Sequence, residues 1–157
     1  MVDVGGKDVT DRIARASASV IMDRLTLKHI RDGEIEKGAV LGTARLAGIM
    51  AAKRTAELIP LCHPLALSKV SVDFAYASDQ ELVITSEVRV RGKTGVEMEA
   101  LTACSIAALT VYDMCKSHDR GMTITDLHLV LKSSGKSGLH RPVPRKRATG
   151  PRKRTGT

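Results

Sequence analysis

The stretch ALSKVSVDFAYASDQELVITSEVRVR (residues 66–91) decides the fold, because two alternating segments flank one short polar link. Apolar side chains recur at every second position in 66–76 and again in 81–91. A period of two predicts strands that bury one face, and the polar link 77–80 is short enough for a hairpin. We therefore expect two neighbouring antiparallel strands here.

The segments on either side of this hairpin complete the pattern. Residues 95–117 (GVEMEALTACSIAALTVYDMCKS) predict a long, mostly apolar helix, and 123–132 predict a last strand. Before the hairpin, 12–22 predict a first strand, and 24–32 and 42–58 predict two helices. This order is the split βαβ pattern of a ferredoxin-like α+β plait. We expect a four-stranded antiparallel sheet with helices on one face.

Positive charge is concentrated at the C-terminus of the chain. The 157 residues have a net charge of +8, and residues 141–157 contain seven basic residues and no acidic one. Residues 1–140 therefore form a nearly neutral domain. The basic segment has no apolar period, so we expect a disordered tail. Nonspecific contact of this tail with anionic surfaces is the alternative to a simple solvated extension.

The cysteines and the apolar runs bear on the compartment. Cys62, Cys104 and Cys115 show no paired spacing and predict reduced, buried thiols, as in cytosolic proteins. No basic-plus-apolar secretion signal opens the chain. The uncharged run 100–112 is shorter than a membrane span and predicts a buried helix. We expect a cytoplasmic protein with no membrane partner.

Two short segments superficially resemble phosphate-binding loops, namely Gly92-Lys93-Thr94 and Gly135-Lys136-Ser137. A P-loop requires a second glycine five residues before the one that precedes the lysine. Those positions hold Glu87 and Val130, so neither segment qualifies. No GxGxxG motif is present either, which excludes both the P-loop and the Rossmann modes of nucleotide binding.

Asp113 follows a long uncharged run at the end of the predicted helix. Burial and the helix dipole would both raise the pKa of its carboxyl group, as suits a general acid or base. Lys116 lies three residues further on, within reach on the same face. The alternative is an ordinary ion pair that closes the helix, and the pattern alone leaves both readings open.

Two further residues have a structural and a functional interpretation. Glu97 ends the sequence Thr94-Gly95-Val96-Glu97, which predicts a capping box in which its carboxylate accepts a backbone hydrogen bond. His63 lies in LIPLCHPL (58–65), where the prolines predict a stiff apolar loop that presents one imidazole. It could be a hydrogen-bonded structural residue or a ligand. Cys62 and His63 alone have no spacing for a tetrahedral metal site, so we predict no metal ion.

Several segments together resemble a known family. They are MVDVGGK (1–7), GTARLAG (42–48), AAKRTAELIPLCHPLALSKV (51–70), GKTGVEMEALTACSIAALTVYDMCK (92–116) and KSSGKSG (132–138). The chain is similar along residues 1–138 to the cyclic pyranopterin monophosphate synthase family of molybdenum cofactor biosynthesis. The resemblance implies a ferredoxin-like lyase, assembled as a homohexamer (a trimer of dimers), with its active site at a subunit interface and no cofactor.

The resemblance also assigns the site residues. It implies Asp113 as the catalytic aspartate and Lys116 as its partner. It implies substrate contacts from eight residues: Lys37, Leu61, Cys62, His63, Glu97, Met98, Glu99 and Lys132. The implied substrate is 3′,8-cyclo-7,8-dihydroguanosine 5′-triphosphate, and the products are cyclic pyranopterin monophosphate and diphosphate.

Two other classes of protein share parts of this pattern. An RNA-recognition domain has the same plait, but it needs aromatic side chains on its sheet, and the chain offers only Phe74, Tyr76 and Tyr112, the last in a predicted helix. The nearly neutral domain also argues against specific nucleic-acid binding. A purely structural subunit would not need the lysines, the histidine and the aspartate named above together.

Overall fold

The protein folds as an antiparallel sheet covered by helices, seen in a computed structural model that describes residues 1–134 and 138–143. Its elements in chain order are β1 (Thr10–Ile21), α1 (Arg24–Asp32), α2 (Val40–Lys53), α3 (Thr55–Leu58), β2 (Lys69–Tyr76), β3 (Glu81–Gly92), α4 (Glu97–Cys115), β4 (Thr123–Ser134) and β5 (Gly138–His140). The strand order is β2-β3-β1-β4-β5, and every neighbouring pair is antiparallel. The predicted ferredoxin-like α+β class is confirmed.

The described sheet has a fifth strand that the prediction lacked. Strand β5 pairs with the end of β4, where Lys132 lies opposite His140. Gly138 opens it with φ of 62°, a left-handed conformation that glycine adopts without strain. A strand of three residues is too short for a periodic pattern, so the sequence gives no signal for it.

The predicted helix over 42–58 is in fact two helices, α2 and α3. The break is at Arg54, whose φ of −114° and ψ of 15° leave the helical region. The buried hydroxyl of Thr55 donates to the carbonyl groups of Ala51 and Ala52, at 3.3 and 3.0 Å. Such side-chain bonds compete with the backbone ladder and end the longer helix.

One face of the sheet carries the core. Ala14, Ala16 and Ala18 of β1 are fully buried, whereas Arg15 between them is exposed on the opposite face. Helix α4 packs on β1, β3 and β4, and α2 packs beside it on α4 and β2. Small side chains on the central strand let the long helix approach the sheet closely.

Helices α2 and α4 meet at Gly48, a position that has no room for a side chain. A Cβ atom added there would lie 2.8 Å from the carbonyl oxygen of Ala103 and 3.3 Å from Cβ of Ala107. This close approach fixes how α4 lies across the sheet. It therefore also fixes where the two ends of α4 point.

By length and composition alone, α4 could span a membrane, and it is the one such helix among the described residues. However, 56% of its apolar window is buried inside the fold. Its packing on the sheet is that of a core helix in a globular domain.

Candidate active site

A cluster of one carboxylate and two lysines lies at the C-terminal end of α4. Lys116 Nζ donates to Asp113 Oδ1 at 2.6 Å, one helical turn away. Lys37, from the loop after α1, donates to Asp113 Oδ2 at 2.9 Å and to its backbone oxygen at 3.0 Å. We call Lys37, Asp113 and Lys116 the acid–lysine cluster. Lys37, Lys116 and the neighbouring Tyr112 and Arg120 also line a cavity of about 370 Å³.

The environment of Asp113 differs from the prediction. Its side chain is 57% exposed rather than buried. Hydrogen bonds from Lys116 and then Lys37 lower the pKa of its carboxyl group to about 2, so the predicted rise was wrong. Asp113 faces solvent on a helix whose other side is buried. The uncharged run before it in the sequence did not indicate this exposed side. At neutral pH the group is a carboxylate, able to accept a proton or to hold two ammonium groups.

A second cavity, of about 410 Å³, lies at the N-terminal end of the same helix. We call it the N-terminal cavity. Five of the predicted substrate-binding residues line it, and they come from the Pro60–Pro64 loop and the first turn of α4: Leu61, Cys62, His63, Glu97 and Met98. The stiff loop and the helix start thus converge on one concave surface.

Glu97 does not cap α4, so the predicted capping box is wrong. The N-cap residue is Val96, no side chain caps it, and Thr94 lies outside the helix. Glu97 instead forms an ion pair with Lys132 of β4, with 3.2 Å between Oε1 and Nζ. This contact places Lys132 beside Glu97, although Lys132 itself does not line the cavity, and it ties the last long strand to the start of the helix.

Glu99 lies behind the cavity wall, only 3% exposed. Cys62 Sγ donates to its Oε1 at 3.7 Å, and Oε2 has no hydrogen-bond partner among the described residues. Burial raises the pKa of the Glu99 carboxyl group and also that of the Cys62 thiol. A neutral carboxylic acid can be accommodated here at lower cost than a carboxylate. Cys62 is half-buried, so the prediction of three buried thiols is correct only for Cys104 and Cys115.

His63 contacts a part of the chain that the sequence did not place in the site. Its Nε2 lies 2.8 Å from the backbone oxygen of Val2. Val2, Val4 and Lys7 of the N-terminal segment complete the cavity wall. The motif MVDVGGK (1–7) was visible as part of the resemblance. However, nothing in its local pattern indicates which side chains it approaches.

A single chain does not bring the two groups of residues together. Glu97 and Asp113 occupy opposite ends of α4, 16 positions apart. At 1.5 Å per residue, this is about 24 Å along the axis. The acid–lysine cluster and the N-terminal cavity are therefore two separate groups at opposite ends of this helix. No group of three or more metal-ligating side chains occurs among residues 1–134 and 138–143.

Comparison with known proteins assigns the family. The profile of the MoaC family matches residues 1–135. The chain belongs to the MoaC family. It is 60% identical to the cyclic pyranopterin monophosphate synthase of Methylobacterium nodulans, over 92% of this chain and 91% of that protein. The enzymes of the same name from Brevibacillus brevis and Peptoclostridium acidaminophilum are 56% and 54% identical, covering 90% and 88% of this chain and 89% and 87% of theirs.

The family match ends at residue 135, before the basic segment begins at residue 141. Residues 144–157 of the predicted tail lie outside the described residues, as do Gly135, Lys136 and Ser137 of the second rejected loop. The family match to residues 1–135 covers every predicted site residue. The boundary between a catalytic domain 1–140 and a tail 141–157 stays a prediction.

Proposed function

We propose that this chain is a phosphorus–oxygen lyase that converts 3′,8-cyclo-7,8-dihydroguanosine 5′-triphosphate into cyclic pyranopterin monophosphate and diphosphate. The observation that carries the proposal is the identity of 54–60% to enzymes named for this product. The pairing of an acid–lysine cluster with a nucleotide-sized cavity supports it. The molecule would serve molybdenum cofactor biosynthesis in the cytoplasm.

The reaction transfers the α-phosphorus between two oxygens, alongside a rearrangement of the purine-derived rings to the pyranopterin. A sugar hydroxyl forms a new P–O bond, the bond to the diphosphate leaving group breaks, and the hydroxyl proton passes to a base. Lys37 and Lys116 are suited to stabilise the charge that develops on the phosphoryl oxygens. Asp113, held ionised, is suited to orient both lysines, and its pKa of about 2 makes it a weak proton acceptor. These three residues are the proposed catalytic group.

The N-terminal cavity is the proposed site for the ring system. Glu97 carries carboxylate oxygens that can accept N–H donors of a guanine-derived ring, and His63 can donate or accept at the same wall. Glu99 lies behind this wall, with a pKa raised by burial and with Oε2 unpartnered among the described residues. Met98 and Leu61 supply apolar contact at the mouth.

A complete site then requires two copies of the chain. Leu46 and Met50 on α2 and Leu109 on α4 are 60%, 52% and 54% exposed, so both helices present apolar side chains to solvent. Packing of these helices against a second copy would bury them. It would also allow the start of one α4 to approach the end of another. A homohexamer built as a trimer of dimers fits this need.

The direct test is incubation of the purified chain with the cyclised triphosphate. We expect a pterin product, detected by its fluorescence after oxidation, together with release of diphosphate. The Asp113→Asn variant run in parallel is the control for contaminating activity. Absence of product from the folded wild-type chain would contradict the proposal.

A further inference from the structure

The N-terminal segment, residues 1–9, forms one wall of the N-terminal cavity without an apolar anchor. Eight of its residues are exposed, and Val4 is half-buried. A segment with one half-buried side chain gains little from the hydrophobic effect. Polar contacts therefore contribute to its position over the cavity.

Lys93 supplies one of these contacts. Its Nζ donates to the backbone oxygen of Gly5 at 2.6 Å. Lys93 belongs to Gly92-Lys93-Thr94, one of the two segments that do not qualify as a P-loop. The side chain of Arg12 on β1 donates hydrogen bonds to the backbone oxygens of Gly92 and Lys93, at 2.9 and 3.1 Å. These bonds hold the backbone from which the Lys93 side chain extends.

The turn after this anchor presents Lys7 to the cavity. The backbone N–H of Lys7 donates to the oxygen of Val4 at 3.1 Å, which closes a tight turn through Gly5. Among the described residues that line the cavity, Lys7 carries the one ammonium group. The carboxylate there, Glu97, is already compensated by Lys132 at 3.2 Å. The Lys7 charge therefore favours an anion in the cavity.

We propose that Lys7 binds a phosphoryl oxygen of the substrate and that Lys93 is the positioning residue that holds Lys7 over the cavity. The inference rests on the proposed function, which supplies a triphosphate substrate and a diphosphate product. An ammonium group on a flexible stem is a suitable point-charge ligand for phosphate. The Gly5-Gly6 pair lets the backbone of the segment adjust as the anion enters.

Binding of diphosphate to the full-length chain tests the role of Lys7 without turnover. In calorimetric titrations, we expect Lys7→Met to weaken binding about tenfold and to reduce its salt dependence, whereas Lys7→Arg keeps most of the affinity. Lys28→Met is the matched control, because it removes the same charge from an ion pair with Asp32 on α1. If Lys7→Met and Lys28→Met bind diphosphate equally well, the inference is overturned.

The role of Lys93 is tested by a double-variant cycle. Lys93→Met should weaken diphosphate binding by a similar factor, and the double variant should bind no worse than Lys7→Met alone, because both act through one ammonium group. Fully additive losses would show that Lys93 contacts the anion itself, which contradicts the positioning role. In turnover, the single variants should raise KM and leave kcat nearly unchanged.

The two proposals fail in different ways. A wild-type chain that makes no pterin product, yet loses diphosphate affinity on Lys7→Met, would contradict the proposed function and leave Lys7 as an anion ligand. A wild-type chain that makes the product, with Lys7→Met unchanged in both KM and diphosphate affinity, would contradict only the inference about Lys7. Circular dichroism and oligomer size on each variant confirm that the fold is intact.

Discussion

The ammonium nitrogen of Lys37 lies 2.9 Å from Oδ2 of Asp113, although 76 residues separate the two in the chain. Lys116 occupies the other carboxylate oxygen, Oδ1, at 2.6 Å. Each oxygen thus has its own cation, and the two lysines are held beside each other despite their like charge. A phosphoryl group that entered the adjoining cavity would meet both.

The first prediction concerns this cluster. Asp113→Asn keeps the shape but removes the charge that holds both lysines, and Lys116→Ala removes one cation. We expect each to lower kcat at least about 100-fold, the scale of lost acid–base or charge stabilisation, with fold and oligomer retained. Steady-state assays with the cyclised triphosphate measure this. As a control, Asp79→Asn, which breaks an exposed ion pair with Arg24, should leave turnover unchanged. If Asp113→Asn or Lys116→Ala keeps near-normal activity, the residue changed in that variant does not belong to the catalytic group.

The second prediction uses Glu87 on the open face of the sheet, 11% exposed in its side chain. Burial alone would raise the pKa of its carboxyl group, but hydrogen bonds from Lys69, Arg15 and Arg89 lower it to about 2. Because the folded pKa lies below the ordinary 4.5, the stabilisation is complete above about pH 4.5. It is lost as the pH falls toward 2.

Glu87→Gln should therefore destabilise the protein at pH 7 by about 1–2 kcal/mol, a figure reduced because the three cations are about half exposed. The difference from wild type should shrink steadily between pH 4.5 and pH 2. Urea unfolding at several pH values measures it. A difference that stays constant across this range would mean that the carboxylate charge is not what stabilises the sheet face.

The third prediction concerns the contact between α2 and α4. Gly48→Ala places a methyl group 2.8 Å from a backbone oxygen that cannot move without shifting α4. We expect a loss of about 1–3 kcal/mol in the free energy of unfolding, the scale of overpacking. Gly42→Ala, in the same helix, would meet only Cβ of Ala39 at 3.8 Å. It should be neutral or slightly stabilising, since alanine favours helix. Equal effects of the two in thermal unfolding would contradict the close approach.

Much of the fold could be predicted from the sequence because its signals are local. The alternation in 66–91 predicted the hairpin β2–β3, and Gly33 after 24–32 marks the end of α1 with φ of 75°. Where local rules compete, the prediction failed. The break at Arg54 depends on a hydroxyl of Thr55 that bonds back into the helix, and the pattern of small residues does not reveal it.

The site was harder to predict, because its contacts join distant parts of the chain. The i,i+3 pair of Asp113 and Lys116 follows from helix spacing, whereas the addition of Lys37 depends on tertiary folding. The predicted cap at Glu97 was wrong because the helix begins later and β4 supplies Lys132. Leu61 and Cys62, next to His63, were predicted as site residues only from the family resemblance. Lys7 and Lys93 were assigned no role until the N-terminal segment could be placed.

The fourth prediction concerns the basic segment. Removal of residues 141–157 takes away seven positive charges and leaves every residue of the acid–lysine cluster and of the N-terminal cavity lining in place. We expect kcat and KM to be unchanged in the truncated chain. Binding to heparin should weaken strongly, since the remaining domain is nearly neutral. A large loss of kcat would show that this segment takes part in the site.

The last prediction concerns assembly of the site from two chains. The start and the end of α4 are about 24 Å apart along the axis, so one nucleotide-sized substrate cannot contact Glu97 and Asp113 of the same chain. If both serve one site, each site draws them from different copies. Glu97→Ala and Asp113→Asn homo-oligomers should then both be inactive.

Mixing these two variants distinguishes a shared site from two separate roles. After co-refolding, some interfaces pair the intact Glu97 of one chain with the intact Asp113 of its neighbour, and those sites should turn over substrate. At equal proportions, random pairing makes about one site in four fully intact, so recovery should approach a quarter of wild-type activity. Glu97→Ala keeps Val96 as its N-cap, so loss of a helix cap does not confound the result. Mixed oligomers that form, as verified with differently tagged chains, but remain inactive would contradict the shared site. Glu97 would then be only the ion-pair partner of Lys132.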